Sequence, residues 1–197
     1  MTFHPDAANP NIAVESWWEN SANPMYHTPT PLQSDITCDV AIIGGGYTGL
    51  NAAKHLAENG IHTCVCEAGH IGWGAPGRNG GFCGGLSTKQ SFSTIVSKYG
   101  IDAARKAVGV QIEAIEQVRE FYSNAGLEKH TPHESAELAV AHTPHQLREM
   151  HTNSQEMERV LGLRTTVMSK EELNEIGAKS PAFYGGMIEP WGFGIHP

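Results

Sequence analysis

The run CDVAIIGGGYTGLNAAKHLAENGIHTCVCEAG, residues 38–69, constrains the fold more than any other part of the chain. A short apolar, β-branched stretch reaches three consecutive glycines and reads as a buried strand. GYTGLNAAKHLAENG then reads as a helix, with Leu50, Ala53, Leu56 and Ala57 on one face and Gly60 as its stop. IHTCVCEAG is a second strand. Strand, glycine turn, helix and strand within about thirty residues make a βαβ unit with a right-handed crossover. The fold class this predicts is α/β and Rossmann-like.

The turn carries Gly44, Gly46 and Gly49 in the spacing Gly-x-Gly-x-x-Gly. Gly44 permits the tight turn, Gly46 lets the backbone approach a pyrophosphate, and Gly49 lets the helix pack close to the strand. The pyrophosphate would meet the unpaired N–H groups at the positive end of the helix. Gly45, Tyr47 and Thr48 complete that turn and belong to the same expected site. Glu67 ends the second strand 18 residues past Gly49, with Ala68 after it. A carboxylate there accepts hydrogen bonds from ribose hydroxyls and repels a 2′-phosphate, which disfavours an NADP-type ligand. The alternative, a glycine turn with a chance acidic residue, does not account for the flanking strand and helix. A bound dinucleotide is therefore expected.

Directly after Ala68-Gly69 comes IGWGAPGRNGG, a strip with few side chains, where an NAD site usually continues with further strands and helices. With the Ser16-Trp17-Trp18 stretch, the GGGYTGL turn and the Glu67-Ala68 pair, this strip resembles the FAD-dependent oxidoreductases related to D-amino-acid oxidase. The resemblance is strongest to the branch containing gamma-glutamylputrescine oxidase. It extends from about residue 15 to the closing YGGMIEPWGFGIHP, and corresponds to the N-terminal half or less of a family member. It implies FAD as cofactor, with Gly74, Ala75, Gly77, Arg78, Asn79, Gly80 and Gly81 along a track leading to the flavin. Small residues there would permit close backbone approach. Arg78 could offset phosphate or reduced-flavin charge, orient the strip, or pair with a carboxylate elsewhere. Pro76 departs from the family's usual Ser, removing a hydroxyl and an N–H donor. The resemblance further implies oxidation of a C–N bond of an amine or amino acid by hydride transfer to flavin, with substrate-pocket residues mostly outside this chain. No catalytic residue is assigned. An NAD-dependent dehydrogenase and a truncated, non-catalytic dinucleotide-binding fragment are the alternatives.

Composition narrows the partners. At 40% hydrophobic and 17% charged the chain has the make-up of a folded domain. Its formal charge of −8, without a Lys/Arg-rich run, argues against nucleic acid. No apolar stretch approaches a membrane span and the N-terminus lacks a signal pattern, so a cytoplasmic location is expected. Four cysteines suit buried apolar positions better than a metal site, and none is expected. The eleven histidines read as surface residues.

Residues 1–35 are expected to form an extended arm anchored by Trp17-Trp18. Residues 36–135 should form the Rossmann-like FAD-binding part, and 136–197 the beginning of an α+β substrate domain. A long amphipathic helix is predicted through Ile101, Ala104, Val108, Ile112, Ile115, Val118 and Tyr122. AELAVAHT should be a strand, Thr143-Pro144 should open another helix, and Ser169 with Glu172 should form a capping box. Two parallel strands are too few for an open sheet, so the chain is expected to be part of a longer protein. Its partners would be a small-molecule amine or amino acid and the remaining C-terminal portion.

Overall fold

The computed structural model describes residue 9 and residues 16–22, 30–85, 90–127 and 135–197. The expected arm therefore lies largely outside the described residues. The chain divides into two compact units, residues 1–80 with Pro197 and residues 81–196. This partition differs from the boundary at 135/136 read from the sequence, which concerns domains of a longer fold and stays a proposal.

The first unit opens with α1 (Trp17–Ser21), a single helical turn inside the expected arm. Ser16 caps it: its hydroxyl accepts the Glu19 N–H while the Glu19 carboxylate accepts the Ser16 N–H. The predicted βαβ unit follows as β1 (Val40–Ile43), α2 (Tyr47–Glu58) and β2 (Thr63–Cys66). The strands pair in parallel, Val40 opposite Thr63 and Ile43 opposite Cys66. Asp39 fastens their start: its N–H donates to the His62 carbonyl, and its carboxylate accepts the His62 N–H at 3.0 Å. Gly46 is the N-cap of α2, and Gly60 turns the chain at φ +74. Leu50, Ala53, Leu56 and Ala57 share a face as expected, yet no residue of α2 is buried. A two-stranded sheet covers too little of the helix to bury it, and Ile43 remains 85% exposed. A 3₁₀ helix (Ala75–Arg78) closes the unit.

The second unit holds every buried hydrophobic side chain among the described residues. Its elements are β3 (Phe82–Cys83), α3 (Phe92–Tyr99), α4 (Ile101–Asn124), β4 (Ser135–Ala141), α5 (Pro144–Leu161), β5 (Thr166–Ser169), α6 (Lys170–Glu175) and β6 (Gly185–Gly194). β6 is the centre of an antiparallel sheet, pairing with β4 along one edge and with β5 and β3 along the other. Pro190 lacks a ladder donor, and it is tolerated in this central strand because of local gaps. The β4 register shifts between Ser135 and Glu137, while on the other edge β5 ends at Ile188 and β3 begins at Phe193.

α4 buries Ala104, Val108 and Ile115, three of its predicted stripe, against Phe92, Met157, Val160, Trp191 and Phe193. Gly100, at φ +84, separates α4 from α3, a helix that the sequence reading did not resolve. Thr143 caps α5 with Pro144 in its first turn, and Gly162 ends it in the left-handed region. The capping box of Ser169 and Glu172 opens α6. Arg119 lies over the Phe193 ring at 4.5 Å and donates to the Trp191 carbonyl at 3.0 Å.

Glu189 is buried on β6, paired in register with Glu137 on β4. Burial, then the Glu137 charge, pushes the Glu189 carboxyl above its usual range. The folded state thus holds that proton more tightly than the unfolded chain does. The contribution of Glu189 to stability is full at low pH and declines as pH rises through the interval between the ordinary and the raised value. Glu189→Gln is expected to raise stability at neutral pH by up to about 1 kcal/mol, the scale of a like-charge cross-strand pair. Thermal melts of both proteins from acidic to neutral pH check this, and the Gln variant should show the flatter profile.

Candidate cofactor site

Backbone hydrogen bonds in the first unit join the glycine turn to the strip that follows β2. The Gly44 N–H donates to the Cys66 carbonyl at 2.8 Å, closing β1 against β2. Gly44 itself sits at φ +102, where only glycine is at ease. The Gly45 carbonyl accepts the Gly72 N–H at 3.1 Å, and the Gly72 carbonyl accepts the Gly77 N–H at 2.8 Å. Gly45, Gly72 and Gly77 thus fasten the first half of the strip to the turn. A Cβ at Gly77 would come to 2.7 Å from the Gly72 oxygen, so its glycine is required by the chain itself.

Gly49 is also required internally. A Cβ there would overlap the Gly44 carbonyl oxygen and stand 3.2 Å from Ile42 Cγ2, which is the close helix–strand packing expected of this position. Gly46 is different. Its backbone is extended at φ −89, ψ −176, and a Cβ would find only Pro76, at 3.7 Å. At Gly74 a Cβ would meet nothing within 4 Å. Neither position owes its glycine to contacts within the chain. Both leave open space, at the N-terminus of α2 in the case of Gly46. Tyr47 and Thr48, the first residues of α2, are exposed.

Glu67 stands at the end of β2 with its carboxylate turned into this turn. Its Oε2 accepts the Gly45 N–H at 2.5 Å, and its Oε1 accepts the Gly69 N–H at 3.0 Å. These N–H groups, led by Gly69, hold the carboxyl below its usual range and so keep it ionised. Each oxygen retains a lone-pair direction for a further donor. Gly69 was not among the expected site residues; its place two residues after a strand-ending acid is the signal that could have marked it. Ala68 is exposed beside it.

Further along, Arg78 donates through Nε to the Trp73 carbonyl at 2.8 Å, and its guanidinium lies 4.8 Å from the Trp73 ring centre. Of the roles open to it, orienting the strip matches these contacts; it pairs with no carboxylate among the described residues. Asn79 Nδ2 donates to the Ala75 and Pro76 carbonyls at 3.0 and 2.7 Å and to Tyr47 Oη at 3.3 Å. Pro76 is the second residue of the 3₁₀ helix, within its first turn, where a missing N–H costs little. Gly80 ends the first unit. Gly81 begins the second, at φ +71, with its carbonyl accepting the Ile195 N–H at 2.7 Å.

Of the cysteines, Cys64 and Cys66 share a face of β2 with their sulfurs 3.9 Å apart, and burial raises the Cys83 thiol. Among the described residues no three His, Cys, Asp or Glu side chains converge as a metal site, and no helix is long and apolar enough to cross a membrane.

A parallel βαβ unit, an open glycine turn at a helix N-terminus and an ionised acid ending the second strand define a dinucleotide-binding fold of the Rossmann type. The profile of the DAO family of FAD dependent oxidoreductases matches residues 39–197, and the chain belongs to that family. Its cofactor is accordingly FAD, which sets aside the NAD-dependent alternative. The chain is 34% identical over 184 residues to gamma-glutamylputrescine oxidoreductase of Escherichia coli K12, covering 93% of this chain and 42% of that protein. It therefore spans less than half the length of this relative. Among solved structures, glycine oxidase from Geobacillus kaustophilus superposes with a TM-score of 0.64 at 20% identity, over 81% of this chain and 40% of the other. L-Amino acid deaminase from Proteus myxofaciens gives a TM-score of 0.59 at 18% identity, over 87% of this chain and 36% of the other. At these identities the likeness is one of fold.

Proposed function

We propose that this chain is the FAD-holding, N-terminal part of an oxidoreductase that oxidises a C–N bond of an amine or amino acid, in the manner of gamma-glutamylputrescine oxidation. The observation that carries the reading is the open space at Gly46 and Gly74, beside an ionised Glu67. At Gly46, where the extended backbone suits any residue, the chain's own packing asks for no glycine, and a cofactor lying along the turn accounts for it.

In this reading the pyrophosphate rests on the turn Gly44, Gly45, Gly46, Tyr47, Thr48 and Gly49, against the positive end of α2. Glu67, with Ala68 beside it, accepts from the ribose of the adenosine half. Gly74, Ala75, Gly77, Arg78, Asn79, Gly80 and Gly81 border the rest of the cofactor. Bound FAD supplies a two-electron acceptor for the hydride leaving the carbon next to the amine nitrogen. The residues named here bind and orient it and keep side chains out of its path. Further strands of the sheet, the substrate pocket and residues 136–197 as the start of a substrate domain belong to the same proposal, as does a cytoplasmic location. A small-molecule amine or amino acid is the partner, with the remainder of a longer protein.

Glu67→Lys tests the adenosine end. Loss of a charged hydrogen-bond acceptor costs roughly 1.5–3 kcal/mol, so the FAD dissociation constant should rise at least about tenfold in flavin-fluorescence titrations. An unchanged constant would remove Glu67 from the site. With wild-type protein, the Glu67 contribution should persist until pH falls below the usual carboxylate range and be lost as the carboxylate protonates there.

A further inference from the structure

We propose that the segment around α1 is a clasp that positions the glycine strip for FAD, with Trp18 and Glu19 as positioning residues; this rests on the FAD reading above. Two independent contacts pin the segment, across more than fifty residues of sequence. Trp18 Nε1 donates to the Asn79 carbonyl at 2.8 Å. Glu19 Oε1 lies 2.6 Å from His70 Nε2. The other His70 ring nitrogen, Nδ1, faces the Ile71 carbonyl at 3.1 Å, so both ring nitrogens are engaged and the ring plane is fixed.

The two pins bracket the strip. His70 lies just after Glu67, and Asn79 lies at its far end, where its side chain braces the 3₁₀ helix and reaches Tyr47 at the start of α2. Glu19 is itself held in place, because its second oxygen caps α1 through the Ser16 N–H. Trp17, in contrast, is 75% exposed, so of the two tryptophans expected to anchor the arm only Trp18 does so. A strip with few side chains has little of its own to fix its path, and glycine-rich backbone loses much entropy when it is ordered. Contacts made from outside the strip reduce the part of that cost left to cofactor binding.

The clasp lies outside the family profile, which begins at residue 39. It lies inside the match to the E. coli relative: an alignment over 184 of 197 residues leaves at most 13 outside and so includes residues 16–22.

The test compares wild type, Trp18→Phe, His70→Gln and Gly46→Val in the natural-length protein. FAD dissociation constants are read by flavin fluorescence and apo-protein melting temperatures by circular dichroism. Trp18→Phe keeps the bulk and loses the donor, so the constant should rise roughly threefold to tenfold, the effect of one hydrogen bond, while the apo melting temperature holds. His70→Gln should raise it in the same direction. A constant equal to that of wild type in both variants overturns the clasp, whatever happens to the melting temperature. If Gly46→Val also binds FAD as wild type does, the FAD reading itself has failed and the clasp with it. If Gly46→Val alone loses FAD, the failure is the clasp's only.

Discussion

Gly46→Val is expected to give a folded protein that retains no FAD. At φ −89 and ψ −176 the backbone at this position suits any residue, and a Cβ would meet only Pro76, at 3.7 Å. The protein therefore tolerates a side chain here on its own account. In the proposed site, the space that valine fills is the space through which the pyrophosphate approaches the N–H groups of α2. Even Gly46→Ala, whose methyl the protein accommodates without adjustment, should weaken binding tenfold or more, about 1.4 kcal/mol. Flavin absorbance of the purified variants, with circular dichroism to establish folding, separates loss of cofactor from loss of structure.

Gly49→Ala should behave in the opposite way and damage the fold before it reaches the cofactor. Its Cβ would overlap the Gly44 carbonyl oxygen, a backbone atom that cannot rotate aside, and would crowd Ile42 on β1. Relief requires α2 to move away from β1, and the Gly44 turn would open with it. Inserting a methyl into a contact that close costs about 3 kcal/mol or more. The first unit has few reserves, since none of the α2 residues is buried. Loss of the α2 helical signal and early proteolysis within residues 30–80 are the expected results. Two glycines three positions apart thus separate binding from folding.

The parts of the fold legible from sequence are those that rest on local rules. The βαβ unit follows from apolar periodicity, Glu67 from its place at a strand end, and the caps of α5 and α6 from Thr143-Pro144 and from Ser169 with Glu172. What sequence could not give depends on contacts between distant residues. The Gly45–Gly72–Gly77 backbone chain depends on the glycine turn meeting the strip, and nothing in either stretch alone encodes the pairing. Trp18 and Trp17 are equivalent as residue types, and only the fold selects Trp18 to meet Asn79. α3 was missed because Gly100 lies between it and the stronger period of α4. β5 was missed because four residues carry too little pattern to separate a strand from a loop. Arg78, whose role was open, takes a local place on Trp73.

The most direct test of the central claim is a titration of the natural-length protein with FAD and, separately, with NAD, followed by absorbance and fluorescence. The FAD assignment predicts stoichiometric uptake of FAD with a flavin absorption band, and no comparable affinity for NAD. A protein that stays colourless while binding NAD would contradict it.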